Sequence, residues 1–182
     1  MRFLLPIAAI LATTQAVAVK PDLIVEARAP SFSFEQWARD IAANPDGQHL
    51  SPAEALAAGH VAATADNSLE LDPRSLEKRA RCHPTSRPAK APDAVTCIQY
   101  LASIGSRACT VTANQFTQIF RRCGSATISA TKAGDQGGIA KTDSCANAAI
   151  TCGKIMDQCF RADNTVAGSQ MTVNGAYQIN IN

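Results

Sequence analysis

The chain has 182 residues, seven cysteines and a formal net charge of +2. Only its first residues form an extended apolar run, and that run is too short for a helix that spans a bilayer, which favours an exported chain over a membrane-anchored one. The small net charge conceals two opposed parts: residues 19–79 carry ten acidic side chains against six Lys and Arg, while residues 80–182 carry ten Lys and Arg against five Asp and no Glu.

Residues 1–18 have the layout of a secretory signal peptide. Arg2 supplies the charged start, residues 3–12 the apolar stretch, and Ala16-Val17-Ala18 the small-residue site, placing the cut between Ala18 and Val19. A second cut is expected after Arg79, before Ala80. The dibasic pair Lys78-Arg79 follows a polar, Pro-containing stretch, all seven cysteines lie beyond it, and the charge changes sign there. Leu76-Glu77-Lys78-Arg79 also resembles the sites cut by the fungal late-secretory kexin protease. The expected organisation is a signal peptide at 1–18, an acidic propeptide at 19–79 and a mature cysteine-rich domain at 80–182, secreted to the extracellular space.

The propeptide carries two helix signals. Ser33 with Gln36 forms a capping-box pattern ahead of Phe34, Trp37 and Ile41, and Asn44-Pro45-Asp46-Gly47 breaks the chain. Ser51-Pro52-Ala53-Glu54 then opens an alanine-rich helix to about His60. Two short helices in an acidic leader can shield the basic domain, assist its folding, or serve only as a solubilising spacer.

In the mature domain, residues 80–91 read as an extended arm pinned by Cys82. Pro92-Asp93 opens a helix with Val95, Ile98 and Leu101 at three-residue spacing and Gly105 as its stop. Beyond Cys109, Thr110 and Thr112 favour an extended start, whereas Phe116, Ile119 and Phe120 follow helical spacing. Residues 126–132 alternate as a strand with Ile128 and Ala130 inward; Asp135-Gln136-Gly137-Gly138 turns, and residues 139–141 are expected to return beside that strand. Cys145, Cys152 and Cys159, seven apart, fall on one stripe of a helix that drifts by only ~20° per heptad, with Thr142, Asp143 and Ser144 as candidate N-caps. Asn174-Gly175 signals a hairpin. A strict two-residue loop would put Met171 and Val173 opposite Tyr177, Ile179 and Ile181, so an odd loop or bulge is expected that gathers all five on the core side. The fold class is α+β: a two-layer sandwich, an antiparallel sheet of about four strands with two helices on one face, stapled by disulfides.

In an exported domain of this size cysteines are read first as disulfides. Zinc is disfavoured, because the C-x6-C-x6-C run lacks close cysteine pairs and His83 is the only histidine after Arg79. With no Glu, five scattered Asp and a single histidine in the arm, hydrolytic machinery has little to draw on, and no G-x-S-x-G, H-E-x-x-H or phosphate loop is present. No catalytic residue, metal or cofactor is expected, and the domain reads as not an enzyme. Arg107, Arg121, Arg122, Lys132, Lys154 and Arg161 are the candidates for a basic patch facing an anionic surface; the plainer reading is a solvated exterior.

The layout of signal, acidic leader, Lys-Arg cut and basic disulfide-rich domain resembles small secreted cysteine-rich proteins of filamentous fungi. Cys82, the run from Ala91 through Cys97, Cys123-Gly124-Ser125-Ala126-Thr127-Ile128, the cysteine helix and the run from Gly168 through Gly175 are similar to the killer-toxin-like and Ecp2-like effector group. The resemblance implies an α/β sandwich acting on competing microbes or host plants, commonly without enzymatic chemistry. It leaves Cys152 as the odd thiol and Cys82, Cys97, Cys109, Cys123, Cys145 and Cys159 as the disulfide candidates. The expected partner is an extracellular protein, wall polymer or membrane surface, besides the kexin-type protease, with no nucleic acid. A monomer is expected, with a disulfide dimer through the odd cysteine as its rival. The competing functions are a secreted enzyme or inhibitor acting on wall polymers, and a structural surface protein.

Overall fold

The structure, a computed structural model, describes residues 31–65, 79–83, 87–134 and 138–182. Ala18, Val19 and Lys78 lie outside the described residues, as do three residues of the turn expected at 135–138. The described chain holds four helices, α1 (Phe34–Ala43), α2 (Pro52–Ala65), α3 (Ala91–Ser103) and α4 (Cys145–Cys159). Its nine strands are β1 (Arg81–Cys82), β2 (Ala89–Lys90), β3 (Ala108–Val111), β4 (Thr117–Cys123), β5 (Ala126–Thr131), β6 (Lys141–Ser144), β7 (Thr165–Val166), β8 (Gly168–Met171) and β9 (Gln178–Ile181).

The main sheet has five antiparallel strands in the order β1-β8-β9-β5-β4, and β2–β7 and β3–β6 form two-stranded ribbons. In this sheet Ile128 lies opposite Ile181 and Ala130 opposite Ile179, and all four are fully buried. Helices α3 and α4 pack on this apolar face. They contribute Val95, Ile98, Leu101, Ile155 and Met156, the large side chains that fill the core between the layers. The fold is thus α+β, with five strands in the main sheet against about four expected: β1 and β4 join it, and β6 pairs with β3 instead.

Three local expectations differ from the structure. Ile119 and Phe120 belong to strand β4 and Phe116 immediately precedes it; none is in a helix. Between Ile119 and Arg121 the β4–β5 register shifts, leaving Phe120 as an extra residue in a bulge. That extra residue turns the two-residue period of a strand into a false three-to-four-residue one. Residues 139 and 140 lie outside any strand, and β6 pairs with β3 instead of returning along β5.

The β8–β9 hairpin has an even loop. Met171 pairs with Gln178, so Thr172 lies opposite Tyr177 and residues 173–176 make the turn. Val173 is 71% exposed and Met171 36%, while Tyr177, Ile179 and Ile181 are buried. Thr172 takes the inward place. Its hydroxyl accepts from the Ala176 N–H at 3.1 Å, its main chain bonds Tyr177 and Gly175, and Gly175 supplies the left-handed φ of 69°. Satisfying the loop's polar groups outweighs covering two more apolar side chains.

At Gly168 the sheet and α4 come close together. A Cβ there would lie 2.9 Å from Ile155 Cγ2 and 3.0 Å from both the Arg81 carbonyl oxygen and Cys159 Sγ. Gly168→Ala should therefore destabilise the protein by about 1–3 kcal/mol, read as a lower denaturation midpoint with an unchanged slope.

Candidate functional site

Each of the two central helices is tied to strands by disulfides. Cys97 of α3 joins Cys123 at the end of β4. Cys145, the first residue of α4, joins Cys109 of β3, and Cys159, its last, joins Cys82 of β1. Cys152, midway along α4, is unbonded and buried. The thiol stripe is thus stapled at both ends and packed in its middle. Burial pushes the Cys152 thiol far above the usual range, which suppresses the thiolate needed for exchange. Its burial also keeps it from a second chain unless α4 leaves its layer. The phenol of Tyr177 is raised as well, by burial first and then by Asp143 and Cys152, and its hydroxyl donates to the Cys109 carbonyl at 3.1 Å.

The outer faces of α3 and α4 carry α1, and α2 packs against α3. Phe34, Trp37, Ala38 and Ile41 of α1 are buried in the same core. Ser33 caps α1, accepting from the Gln36 N–H at 3.3 Å, but the Gln36 side chain reaches forward to Asp40 rather than back to the cap. A carboxylate of α4 instead takes up the first donors of α1. Asp157 accepts from the Ser33 hydroxyl at 2.8 Å and from the Phe34 and Glu35 N–H groups at 2.7 and 3.0 Å. Burial raises the Asp157 carboxyl above its ordinary value, against the lowering effect of those hydrogen bonds. One turn earlier, Gly153 lies directly beneath the Phe34 and Glu35 main chain. Around this line Lys154 Nζ stands 3.6 Å from Glu35, Phe34 meets Phe160 edge-on at 6.2 Å, and the Trp37 indole N–H donates to the Leu50 carbonyl at 3.0 Å. Helix α2 closes its own capping box between Ser51 and Glu54, whose carboxyl is held below the usual range by those hydrogen bonds.

The six basic candidates do not gather into one patch. Lys132 is buried and donates to the Ala113 carbonyl, Lys154 faces Glu35, and Arg161 donates to the His83 carbonyl. Long cationic side chains find main-chain oxygens within reach, which spacing along the sequence does not show. Arg107, Arg121 and Arg122 remain exposed, and Arg121 lies over the Tyr100 ring at 3.7 Å. A groove of about 400 Å³ beside that pair is walled on its other side by Ile41, Pro45 and His49 of the N-terminal segment.

Asp93, in the first turn of α3, fixes the β4–β5 turn by accepting from the Ser125 N–H and hydroxyl, both at 2.7 Å. Gly153 and Asp157 were not singled out from the sequence, and Asp93 only as part of a helix start. A glycine in the interior of an apolar helix face was the available signal for the first; carboxylates acting across elements leave none.

The described residues hold no group of three or more His, Cys, Asp or Glu placed to bind a metal, and no helix long and apolar enough to cross a membrane. A small α+β domain with three disulfides is of the kind found outside the cell. Residues 77–182 match the family described as a domain of unknown function (DUF8794), and the chain belongs to that family. No curated protein and no solved structure matches the chain.

Two outcomes follow from these contacts. Native oxidised protein should resist maleimide, with one thiol per chain, at Cys152, reacting after denaturation; mass spectrometry of the alkylated peptide reads this. The Asp93 carboxyl is held low by its Ser125 hydrogen bonds, so its contribution to stability is complete above the ordinary Asp value and is lost as pH falls through the lower folded one. Asp93→Asn should lower the denaturation midpoint at neutral pH and flatten its fall below about pH 4.

Proposed function

We propose that this protein is a secreted binding module, matured by cleavage after Arg79, that acts outside the cell on a host or competing microbe in the manner of killer-toxin-like and Ecp2-like effectors. One observation carries the reading. All three disulfides lie beyond Arg79, while α1 and α2 are joined to them by the main chain and by non-covalent contacts alone. A cut there leaves the stapled domain whole. The family match begins at residue 77, beside the dibasic pair, which supports the same division. The Ala80 nitrogen already donates to Gln158 Oε1 at 2.6 Å, so a new N-terminus would have a partner waiting.

The surface best suited to a target is the exposed edge of the main sheet. Strand β4 has seven residues and, among the described residues, no partner on its outer side in the sheet order. Phe116 is 58% exposed, Ile119 is 40% exposed, and Arg122 stands nearby on the same strand. The bulge at Phe120 and the adjacent cations discourage pairing with a second copy, which favours a monomer. Apolar and cationic groups together suit an anionic protein, wall polymer or membrane surface, without a cofactor.

Protein secreted from a fungal host should have the mass of residues 80–182 less six hydrogens, and Lys78→Ala with Arg79→Ala should keep the N-terminal helices attached. In pull-down on microbial and plant walls and on anionic vesicles, Ile119→Glu with Arg122→Glu should cut retention of the processed domain at least tenfold. Turnover of a wall polymer by that domain would overturn the non-enzymatic reading.

A further inference from the structure

We infer that the outer face of α4 is a docking site for an amphipathic helix, and that its occupant is α1 of this chain, which stays bound as a non-covalent, dissociable partner once the main chain between α2 and β1 is cut. The inference rests on the maturation reading for its setting but not for its geometry.

The first observation is steric. A Cβ on Gly153 would lie 2.6 Å from Glu35 Cα and from the Phe34 carbonyl oxygen, and 2.7 Å from the Glu35 nitrogen. These are main-chain atoms and cannot rotate aside. A glycine inside a helix costs about 1 kcal/mol relative to alanine, and at Gly153 the close approach of α1 is what the glycine permits. The second observation is polar. Asp157, one turn on and therefore on the same line of the helix, takes the hydroxyl of Ser33 and two of the first N–H groups of α1, placing a carboxylate where the helix dipole favours it. The third is apolar: Phe34, Trp37, Ala38 and Ile41 are buried, and Gly59 of α2 admits the Phe34 ring, which a Cβ there would meet at 2.5 Å. A small residue, a cap receptor one turn away and an apolar strip select both the position and the direction of a helix. A solubilising spacer has no need of such a seat.

The test uses the whole oxidised chain with a specific protease site placed within residues 66–78, so that it does not depend on the native dibasic cut. After cleavage the fragment carrying α1 and α2 should co-elute with residues 80–182 on size exclusion at micromolar concentration. Gly153→Ala and Asp157→Ala should each speed its dissociation at least tenfold. Gly168→Ala, which strains the far side of α4, should lower the melting temperature and leave fragment retention unchanged. A wild-type fragment that elutes apart, or equal retention in wild type, Gly153→Ala and Asp157→Ala, overturns the docking site. Loss of the fragment from Gly168→Ala to the same extent would reduce the effect to general instability and overturn it as well. If the denatured mass of secreted protein shows the main chain uncut after Arg79 while the engineered cut leaves the helices bound, the maturation reading fails and the docking site stands.

Discussion

Helix α4 has a neighbour on every side, and the rest of the molecule is built around that confinement. Its inner face lies on β8 and β9, its two ends are bonded to β1 and β3, its flank meets α3, and its outer face carries α1. Two glycines set the spacing: Gly168 allows the sheet to approach Ile155 and Cys159 from below, and Gly153 allows α1 to approach from above. With both sides closed, a cysteine in the middle of the helix is an apolar side chain more than a reagent.

The two kinds of attachment differ in physical character. Disulfides restrict the unfolded chain, and the loops closed here span 77, 26 and 36 residues, so each cross-link stabilises the domain chiefly by removing chain entropy, by about 2–4 kcal/mol. Helix α1 has no such link. It is held by buried apolar area and by hydrogen bonds to one carboxylate, interactions that a second molecule can replace. A domain joined to its family by residues 77–182 thus sits beneath a segment attached by a different chemistry.

The helices were legible because their signals are local. Ser144 caps α4 by accepting from the Asn147 N–H, Pro92 lies in the first turn of α3, and the Ser51–Glu54 box opens α2. The errors share a different cause. In β4 a single bulged residue changed the apparent period, and in the β8–β9 hairpin a threonine hydroxyl decided the register that an apolar count had decided the other way. The basic residues were open to two readings, a patch or a solvated exterior, and spacing could not show that Lys132 and Arg161 turn toward carbonyls far along the chain.

The sequence by itself determined where the helices start, that Ile128, Ala130, Tyr177, Ile179 and Ile181 face inward, and that the cysteines belong to residues 80–182. Caps, alternation and composition act over a few residues and can be read in one dimension. Tertiary structure alone decided which cysteines meet, which cations stay in water, and that α1 lies on α4. Those outcomes depend on contacts between groups such as Ser33 and Asp157, 124 positions apart, where the decisive quantity is the space left between two backbones and no local pattern encodes it.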